Sequence, residues 1–163
     1  MKPIRATSRS IDAVQDFQPE DERPALTAAI EGLLTATGAS RVTLRQDLPG
    51  EYRFPVTHEA LAPGVASLRD ERSVDLPNQP VVAELLAGRQ VVQEDCRTAY
   101  DDPDFQRMLD AYGGLAAQIV TPIFDGARLA AIVSLHELKG PRVWTSDEID
   151  AATRTAQEVA KLL

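Results

Sequence analysis

Few side chains in this 163-residue chain could do chemistry. There is one cysteine, Cys96, and there are two histidines, His58 and His136. A single thiol can form neither an internal disulfide nor a CxxC metal knuckle, and nothing near the histidines has metal-ligand spacing. No glycine-rich phosphate loop and no nucleophile elbow marks a nucleotide site or a catalytic serine. The sequence therefore indicates no metal, no nucleotide and no catalytic residue, and the cofactor remains unknown.

Cys96 has two interpretations. The neighbouring Arg97 would favour the thiolate, which suits a redox sensor. Alternatively, Cys96 is a part-buried small residue in a loop, since a free cysteine commonly behaves as a small hydrophobe. We favour the second interpretation.

His136 ends a strongly apolar predicted strand. Alternation places it on the same face as Ser134 and Ile132. A serine and a histidine on one apolar face suit a pocket that orients a polar ligand, but His136 could equally be the solvated end of the strand. His58 also ends a predicted strand, and there we favour the solvated interpretation.

Further polar side chains could complete a pocket. Gln118 and Thr121 interrupt the neighbouring strand on opposite faces, so one of them must face the middle of the chain, although register is not fixed by period alone. An arginine of the middle segment, such as Arg69, could bind a carboxylate or phosphate of the ligand, or it could lie on the solvated surface. The candidate ligand-binding residues are Arg69, Cys96, Tyr100, Tyr112, Gln118, Thr121, Ser134 and His136.

The elements that would position these residues begin with a helix. We expect it to start near Asp21, with Pro24 tolerated in the first turn, and to stop at Gly38. Residues 1–20 are expected to be a flexible lead-in and residues 21–163 a single domain. Two strands should follow, over residues 41–45 and 52–57, the first with Val42 and Leu44 on one face.

The rest of the chain has an irregular middle and a regular end. Thr145 and Glu148 form a capping box at the start of the last helix. The order of elements predicts an α/β (α+β) domain with a largely antiparallel sheet, the terminal helices on one face and the irregular middle on the other. The remaining predicted elements are helices over 80–87 and 102–112, a strand over 90–92, and a hairpin of strands 117–124 and 129–136 around Asp125-Gly126.

Composition restricts the partners. The chain has 17 basic and 25 acidic residues, a formal charge of −8, and no cluster of Lys or Arg. Such a field repels phosphate backbones and anionic lipids, so we expect neither nucleic acid nor membrane as a partner. No apolar run is long enough to cross a bilayer, and a single cysteine is compatible with the cytoplasm, where we expect the protein to be located.

The C-terminal third resembles the GAF domain family. Residues 120–136 (VTPIFDGARLAAIVSLH) are similar to its closing hairpin, residues 142–149 (RVWTSDEI) to the entry into its last helix, and residues 91–95 (VVQED) to the strand before its variable loop. The resemblance covers residues 21–163. It implies an antiparallel sheet of six or so strands with a ligand pocket between the sheet and the middle segment, but it implies no particular ligand. Bilin-binding relatives usually carry Cys beside His, whereas Cys96 lies between Asp95 and Arg97, so no covalent tetrapyrrole is expected.

These observations lead to one functional hypothesis and two alternatives. The first is a sensory or regulatory domain that binds an unknown small molecule and, having no output domain of its own, acts through a partner or a homodimer. The dimer would form through the first and last helices, although the apolar stripe of the last helix could simply cover the sheet. The alternatives are a small enzyme that uses His136 or Cys96, and a ligand-free structural adaptor.

Overall fold

A computed structural model describes the backbone of residues 10–163, and the burial of side chains from residue 24 onward. Within that part of the chain lie four α-helices and five β-strands. In chain order they are α1 (Ser10–Thr37), β1 (Arg41–Gln46), β2 (Val56–Leu61), α2 (Pro80–Leu86), β3 (Val91–Gln93), α3 (Pro103–Ala111), β4 (Ala117–Asp125), β5 (Arg128–Glu137) and α4 (Ser146–Leu162).

The strands form one antiparallel sheet in the order β2-β1-β5-β4-β3. The long β4–β5 hairpin lies near its centre, and its turn includes Gly126, whose φ of 63° is the left-handed conformation that glycine tolerates best. The five strands occur in the predicted order along the chain. Their number is one fewer than the six that the resemblance implied. The predicted fold class, an α/β domain with a central antiparallel sheet, is confirmed.

The terminal helices α1 and α4 cover one face of the sheet. Ile30 and Leu33 of α1 pack with Val42, Leu44 and similar side chains from the sheet. Helix α4 begins as predicted: the Thr145 side chain accepts from the Glu148 amide, and the Glu148 carboxylate accepts from the Thr145 amide. Trp144 is buried in the same layer.

Helices α2 and α3 and the loops around them cover the other face. Their apolar side chains, including Leu85, Phe105 and Leu109, are completely buried and form a second core with Val120 and Ile132 of the sheet. Because strand residues alternate between faces, polar residues at the centre of this second face, such as Thr43, Gln118 and Ser134, are also buried. The predicted division of the two faces between terminal helices and middle segment is therefore confirmed.

Two predicted boundaries are wrong. Helix α1 begins at Ser10 rather than near Asp21, so that Pro24 lies inside it, where a proline removes one backbone hydrogen bond without ending the helix. Strand β2 begins at Val56, because Phe54 has a φ of 58° and breaks the extended run. The flexibility expected of residues 1–20 stays a prediction, and residues 1–9 lie outside the described part.

Within residues 10–163, none of the helices combines the length and apolar character needed to cross a lipid bilayer.

Candidate functional site

A small cavity lies between the second face of the sheet and helices α2 and α3. Its volume is about 30 Å³, which is room for about two waters. Most of its wall is apolar, but polar side chains converge on it from β1, β4, β5 and the helix layer. The lining residues are Arg45, Leu76, Gln79, Val81, Val82, Leu85, Met108, Tyr112, Gln118, Val120, Ile132, Ser134 and His136.

Strand pairing brings the polar residues of the sheet together. On β1, alternation directs Arg41, Thr43 and Arg45 away from the core of Val42 and Leu44 and toward the middle segment. Across the β1–β5 ladder, Arg41 is opposite His136 and Thr43 is opposite Ser134. The same face therefore carries two arginines, a histidine, a threonine and a serine at adjacent ladder positions.

Arg41 connects the sheet to the middle segment. Its Nε donates to His136 Nδ1 at 3.1 Å, while its Nη atoms donate to the carbonyls of Ala66 at 3.1 Å and Tyr112 at 2.7 Å. The side chain is almost completely buried, with 1% of the residue exposed. Burial lowers the pKa of Arg41 to about 10, so the guanidinium is still charged at neutral pH.

Arg45 lies directly on the cavity wall. Its Nη1 donates to the Phe54 carbonyl at 2.9 Å and its Nη2 to the Tyr112 hydroxyl at 3.2 Å. The guanidinium carbon lies 5.6 Å from the centroid of the Tyr112 ring. Tyr112 therefore accepts from both arginines, through its carbonyl from Arg41 and through its hydroxyl from Arg45.

Neither buried guanidinium has a carboxylate partner among the described residues. The carboxylate whose charge acts on Arg41 belongs to Glu59. Glu59 is held elsewhere, because it accepts from the Ser67 hydroxyl at 2.6 Å and from the Leu68 amide at 2.7 Å. The second face of the sheet thus carries two buried positive charges that are hydrogen-bonded but not paired.

His136 is neutral, and its protonation state follows from its contacts. Burial, and then the positive charges of Arg41 and Arg45, keep the pKa of His136 well below its usual value. Since Nδ1 accepts from Arg41, the single ring proton is on Nε2, which makes Nε2 a donor. The ring stacks on Tyr112, with centroids 6.0 Å apart and planes inclined by 25°.

Two glutamines complete the polar lining. Gln118 Nε2 donates to Gln93 Oε1 at 2.8 Å, across the β3–β4 ladder. Gln79, the residue before α2, is 5% exposed, and its Oε1 has no hydrogen-bond partner. A buried oxygen without a partner is uncommon, because losing its solvation without replacement is costly. Gln79 Oε1 is therefore an acceptor that a bound group with an N–H or O–H could use.

Four of the eight candidate residues meet at this cavity: Tyr112, Gln118, Ser134 and His136. His136 is 3% exposed, so it is not the solvated end of a strand. Gln118 is the polar residue of β4 that faces the middle segment. Thr121 lies on the other face, where it accepts from Gln90 Nε2 at 3.0 Å. His58 is not at a strand end either; it lies within β2 opposite Leu44 and is buried.

The structure does not bring the other three candidates to the cavity. Arg69 is exposed and donates to the Thr57 carbonyl at 3.2 Å. Tyr100 packs edge-on against Phe105, with ring centroids 4.9 Å apart. Cys96 is completely buried, more than the part-buried loop residue that we favoured.

The environment of Cys96 opposes the thiolate. Burial, and then the charge of Asp95, outweigh the nearby Arg97 and raise the pKa of the Cys96 thiol to about 12. Its backbone amide is also fixed, because it donates to the Ala116 carbonyl at 2.8 Å. The thiol has the environment of a core side chain.

Sequence reasoning missed Arg41, Arg45 and Gln79. The alternation of β1, combined with the predicted cover on both faces, was a signal that could have found the two arginines. No comparable signal pointed to Gln79. In the described residues, no three His, Cys, Asp or Glu side chains lie close enough together to hold a metal ion.

Solved structures with the same architecture include GAF domains in light-absorbing states. The blue-light-absorbing form of the PixJ GAF domain of Thermosynechococcus elongatus is 21% identical, with a TM-score of 0.69 and 86% of each chain covered. The far-red-absorbing dark state of JSC1_58120g3, which has bound biliverdin IXa, is 17% identical, with a TM-score of 0.73 and 94% of each chain covered. GAF3 from Slr1393 of Synechocystis sp. PCC6803 is 18% identical, with a TM-score of 0.64 and coverage of 86% of this chain and 94% of that chain.

At these identities the likeness concerns the fold. A search of curated proteins finds no significant match. The sequence model of the GAF domain matches residues 21–163, which include the sheet, both cores and the cavity. The match covers most of the chain and agrees with the resemblance of the hairpin, the last helix and the strand before the variable loop. The chain belongs to the GAF domain family.

Proposed function

We propose that this protein is a sensory GAF domain that binds a small molecule in the cavity between the sheet and helices α2 and α3. The observation that carries the proposal is the convergence of Arg45, Tyr112 and His136 on one buried, mostly apolar cavity. Ligand sites typically combine apolar walls with a few polar groups held in fixed positions. Here the polar groups are fixed by Arg41, which holds both His136 and the carbonyl of Tyr112.

The volume of the cavity restricts the ligand. About 30 Å³ suits a molecule of a few non-hydrogen atoms, well below the ~300–1,000 Å³ of sites for larger ligands. A bilin such as the biliverdin of JSC1_58120g3 would require α2 and α3 to move away from the sheet. Cys96 does not line the cavity and is buried as a thiol, which offers nothing for covalent attachment. We therefore propose a small, non-covalent ligand other than a bilin.

The same small volume favours a second candidate, a structural adaptor whose cavity holds only water. Two waters would satisfy some of the polar groups and would require no ligand. The sensor should carry or bind a ligand, and a substitution that fills the cavity should abolish that binding. The adaptor should bind no ligand in either case.

Mass spectrometry under native and then denaturing conditions separates the two candidates. The sensor predicts extra mass that disappears on denaturation, or a ligand that raises the melting temperature when it is added back. Ser134→Leu would fill the cavity and should abolish that mass and that shift, whereas Ser73→Leu, at an exposed loop position, should change neither. A clean mass and no stabilisation by any small metabolite would favour the adaptor.

The output of the sensor would pass through α1 and α4. These helices cover the face of the sheet opposite to the cavity, and together they form a shallow outer groove of about 310 Å³. We propose that a second copy of the chain, in the cytoplasm, docks on this groove. Small residues that allow the close approach of another helix lie along it, namely Ala28, Gly32, Ala36 and Ala151.

Gly32 provides the test of the dimer. A Cβ atom at this position would meet nothing within 4 Å, so a longer side chain does not clash within the monomer, and a helix interior gains stability when glycine is replaced. Gly32→Lys should therefore leave the fold intact and convert a dimer into a monomer, as measured by light scattering. Leu86→Glu, at an exposed position on α2, is the control and should leave the mass unchanged. A wild-type monomer at all concentrations would contradict the proposed dimer.

A further inference from the structure

The two buried guanidiniums of Arg41 and Arg45 form no ion pair with a carboxylate among the described residues. Arg41 and Arg45 are 1% and 3% exposed, and among the described residues their hydrogen bonds go to carbonyls, a neutral histidine and a phenol. Buried charges are normally paired, because an isolated charge in an apolar environment is costly. Only Arg45 reaches the cavity, so an anion in the cavity would contact Arg45 directly and would interact with Arg41 at longer range.

The groups around Arg45 are donors as well. A guanidinium has five N–H bonds, and only two of those on Arg45 are used by the protein. The Tyr112 hydroxyl accepts from Arg45, which leaves its own hydrogen to donate, and burial raises its pKa to about 12 so that it stays protonated. His136 presents Nε2–H as its donor because Arg41 occupies Nδ1. The donors of Arg45, Tyr112 and His136 thus make this side of the cavity suitable for the oxygens of a carboxylate.

The helix side of the cavity has the opposite character. Gln79 lines it from the start of α2, and its Oε1 is a buried acceptor without a donor. A ligand with an O–H or N–H group at its second end would supply that donor. The two sides together describe a short molecule with a carboxylate at one end and a donor at the other.

We propose that the cavity binds a small carboxylate that carries a hydroxyl or amino group, with the carboxylate on Arg45, Tyr112 and His136 and the donor on Gln79. This assignment rests on the proposed function, since it names the ligand class of the same cavity. Arg41 is a positioning residue, because it fixes the His136 tautomer and the Tyr112 carbonyl without lining the cavity.

Glycolate and glycolamide are the matched probes. They have the same shape and the same hydroxyl, and they differ in the charge of one end. Binding is measured by calorimetry and by the side-chain NMR resonances of His136. Sodium gluconate at the same concentration is the control for ionic strength, because gluconate is too large for the cavity. We expect glycolate to bind and to shift the His136 resonances, and glycolamide to bind at least about tenfold more weakly.

Variants assign the two ends. Arg45→Gln should raise the Kd of glycolate by roughly 10- to 100-fold, the range expected for the loss of a charge-assisted hydrogen bond. Gln79→Leu keeps the size of the side chain but removes the acceptor, and should weaken glycolate by several-fold. Arg53→Gln, at an exposed arginine that pairs with Asp47, is the control and should leave the Kd unchanged. Circular dichroism checks that each variant is folded.

The outcomes separate this inference from the proposed function. If glycolamide shifts His136 and binds as tightly as glycolate, the carboxylate assignment is overturned while the cavity remains a ligand site. If neither probe binds, the carboxylate assignment is overturned. If the native mass is also clean and no small metabolite raises the melting temperature, the proposed function fails as well. The comparison of the two probes in the wild-type protein needs no variant, so it decides the charge of the ligand even if Arg45→Gln does not fold.

Discussion

Replacing Arg142 should show how the ends of three elements are held together. Its Nη1 donates to Glu137 Oε1 at 2.8 Å, and its Nη2 donates to Glu148 Oε2 and to the Thr37 carbonyl, both at 2.5 Å. These partners belong to the end of β5, the start of α4 and the end of α1. The guanidinium carbon also lies 4.7 Å from the centroid of the Trp144 ring. Arg142→Met keeps the packing on the ring and removes all three hydrogen bonds.

The expected loss follows from burial. The side chains of Arg142, Glu137 and Glu148 are 21%, 7% and 16% exposed, which is intermediate between a surface pair and a core pair. A hydrogen bond to a charged group contributes about 1.5–3 kcal/mol, and bonds that share one side chain are not additive. Glu137 also retains its bonds from Ser40 and the Lys139 amide. We therefore expect Arg142→Met to lower the free energy of unfolding by about 2–4 kcal/mol.

Urea unfolding at pH 7, followed by far-ultraviolet circular dichroism, measures this change. Circular dichroism is preferred to fluorescence, because Trp144 is the only tryptophan and contacts the altered side chain. The matched control is Arg128→Met. Arg128 pairs with Asp47 and Asp125 at the surface, its side chain is 54% exposed, and its loss should cost less than about 1 kcal/mol.

The difference should also depend on pH. Burial tends to raise the pKa of both Glu137 and Glu148. The Lys139 amide and Arg142 outweigh this effect for Glu137, and the Thr145 amide and Arg142 outweigh it for Glu148. Both pKa values therefore lie below the ordinary 4.5. A lowered carboxyl pKa gives stability that is present above the unfolded pKa and is lost as pH falls through the folded pKa. The gap between wild type and Arg142→Met should be constant above about pH 5 and should narrow below pH ~4. A loss under about 0.5 kcal/mol at pH 7, or a gap that stays constant down to pH ~3, would refute this reasoning.

Three further outcomes are expected. Cys96, whose pKa burial raises to about 12, should react with a thiol reagent at pH 8 no faster than the protein unfolds, and rapid labelling of native protein would contradict its core environment. Thr145→Ala removes the N-cap of α4 and should cost about 1 kcal/mol in urea unfolding, whereas no loss would mean that the capping box contributes little. Tyr112→Phe removes the acceptor for Arg45 Nη2 and should cost about 1–3 kcal/mol, and an unchanged stability would show that another acceptor replaces the hydroxyl.

The features that local sequence determines were predicted well. The capping box of Thr145 and Glu148 needs only residues within one helical turn, and the β4–β5 hairpin needs only its turn and its two apolar runs. Where a local signal was ambiguous, prediction failed. Pro24 is compatible with a helix start and also with a helix that continues through it, and the left-handed φ of Phe54 has no signature in the sequence.

The site was only half predictable, because contacts distant in sequence assemble it. Alternation identified His136 and Ser134 as a pair, but pairing with other strands was needed to decide that Gln118, and not Thr121, faces the cavity. Arginine composition alone suggests a solvated surface. The burial of Arg41 depends on the carbonyls of Ala66 and Tyr112, which are 25 and 71 residues away along the chain.

The end of β5 places two different environments on consecutive residues. His136 faces the cavity, and Glu137, on the opposite face, accepts from Arg142, which also contacts the end of α1 and the start of α4. The distance between the interior of the cavity and the helical layer is therefore one peptide unit. Because the two residues are adjacent on one strand, a displacement of His136 would also displace Glu137, and the side chains of Glu137 and Arg142 would carry it to the junction of the two terminal helices. At this point, the path from the core on one face of the sheet to the core on the other is only as long as the sheet is thick.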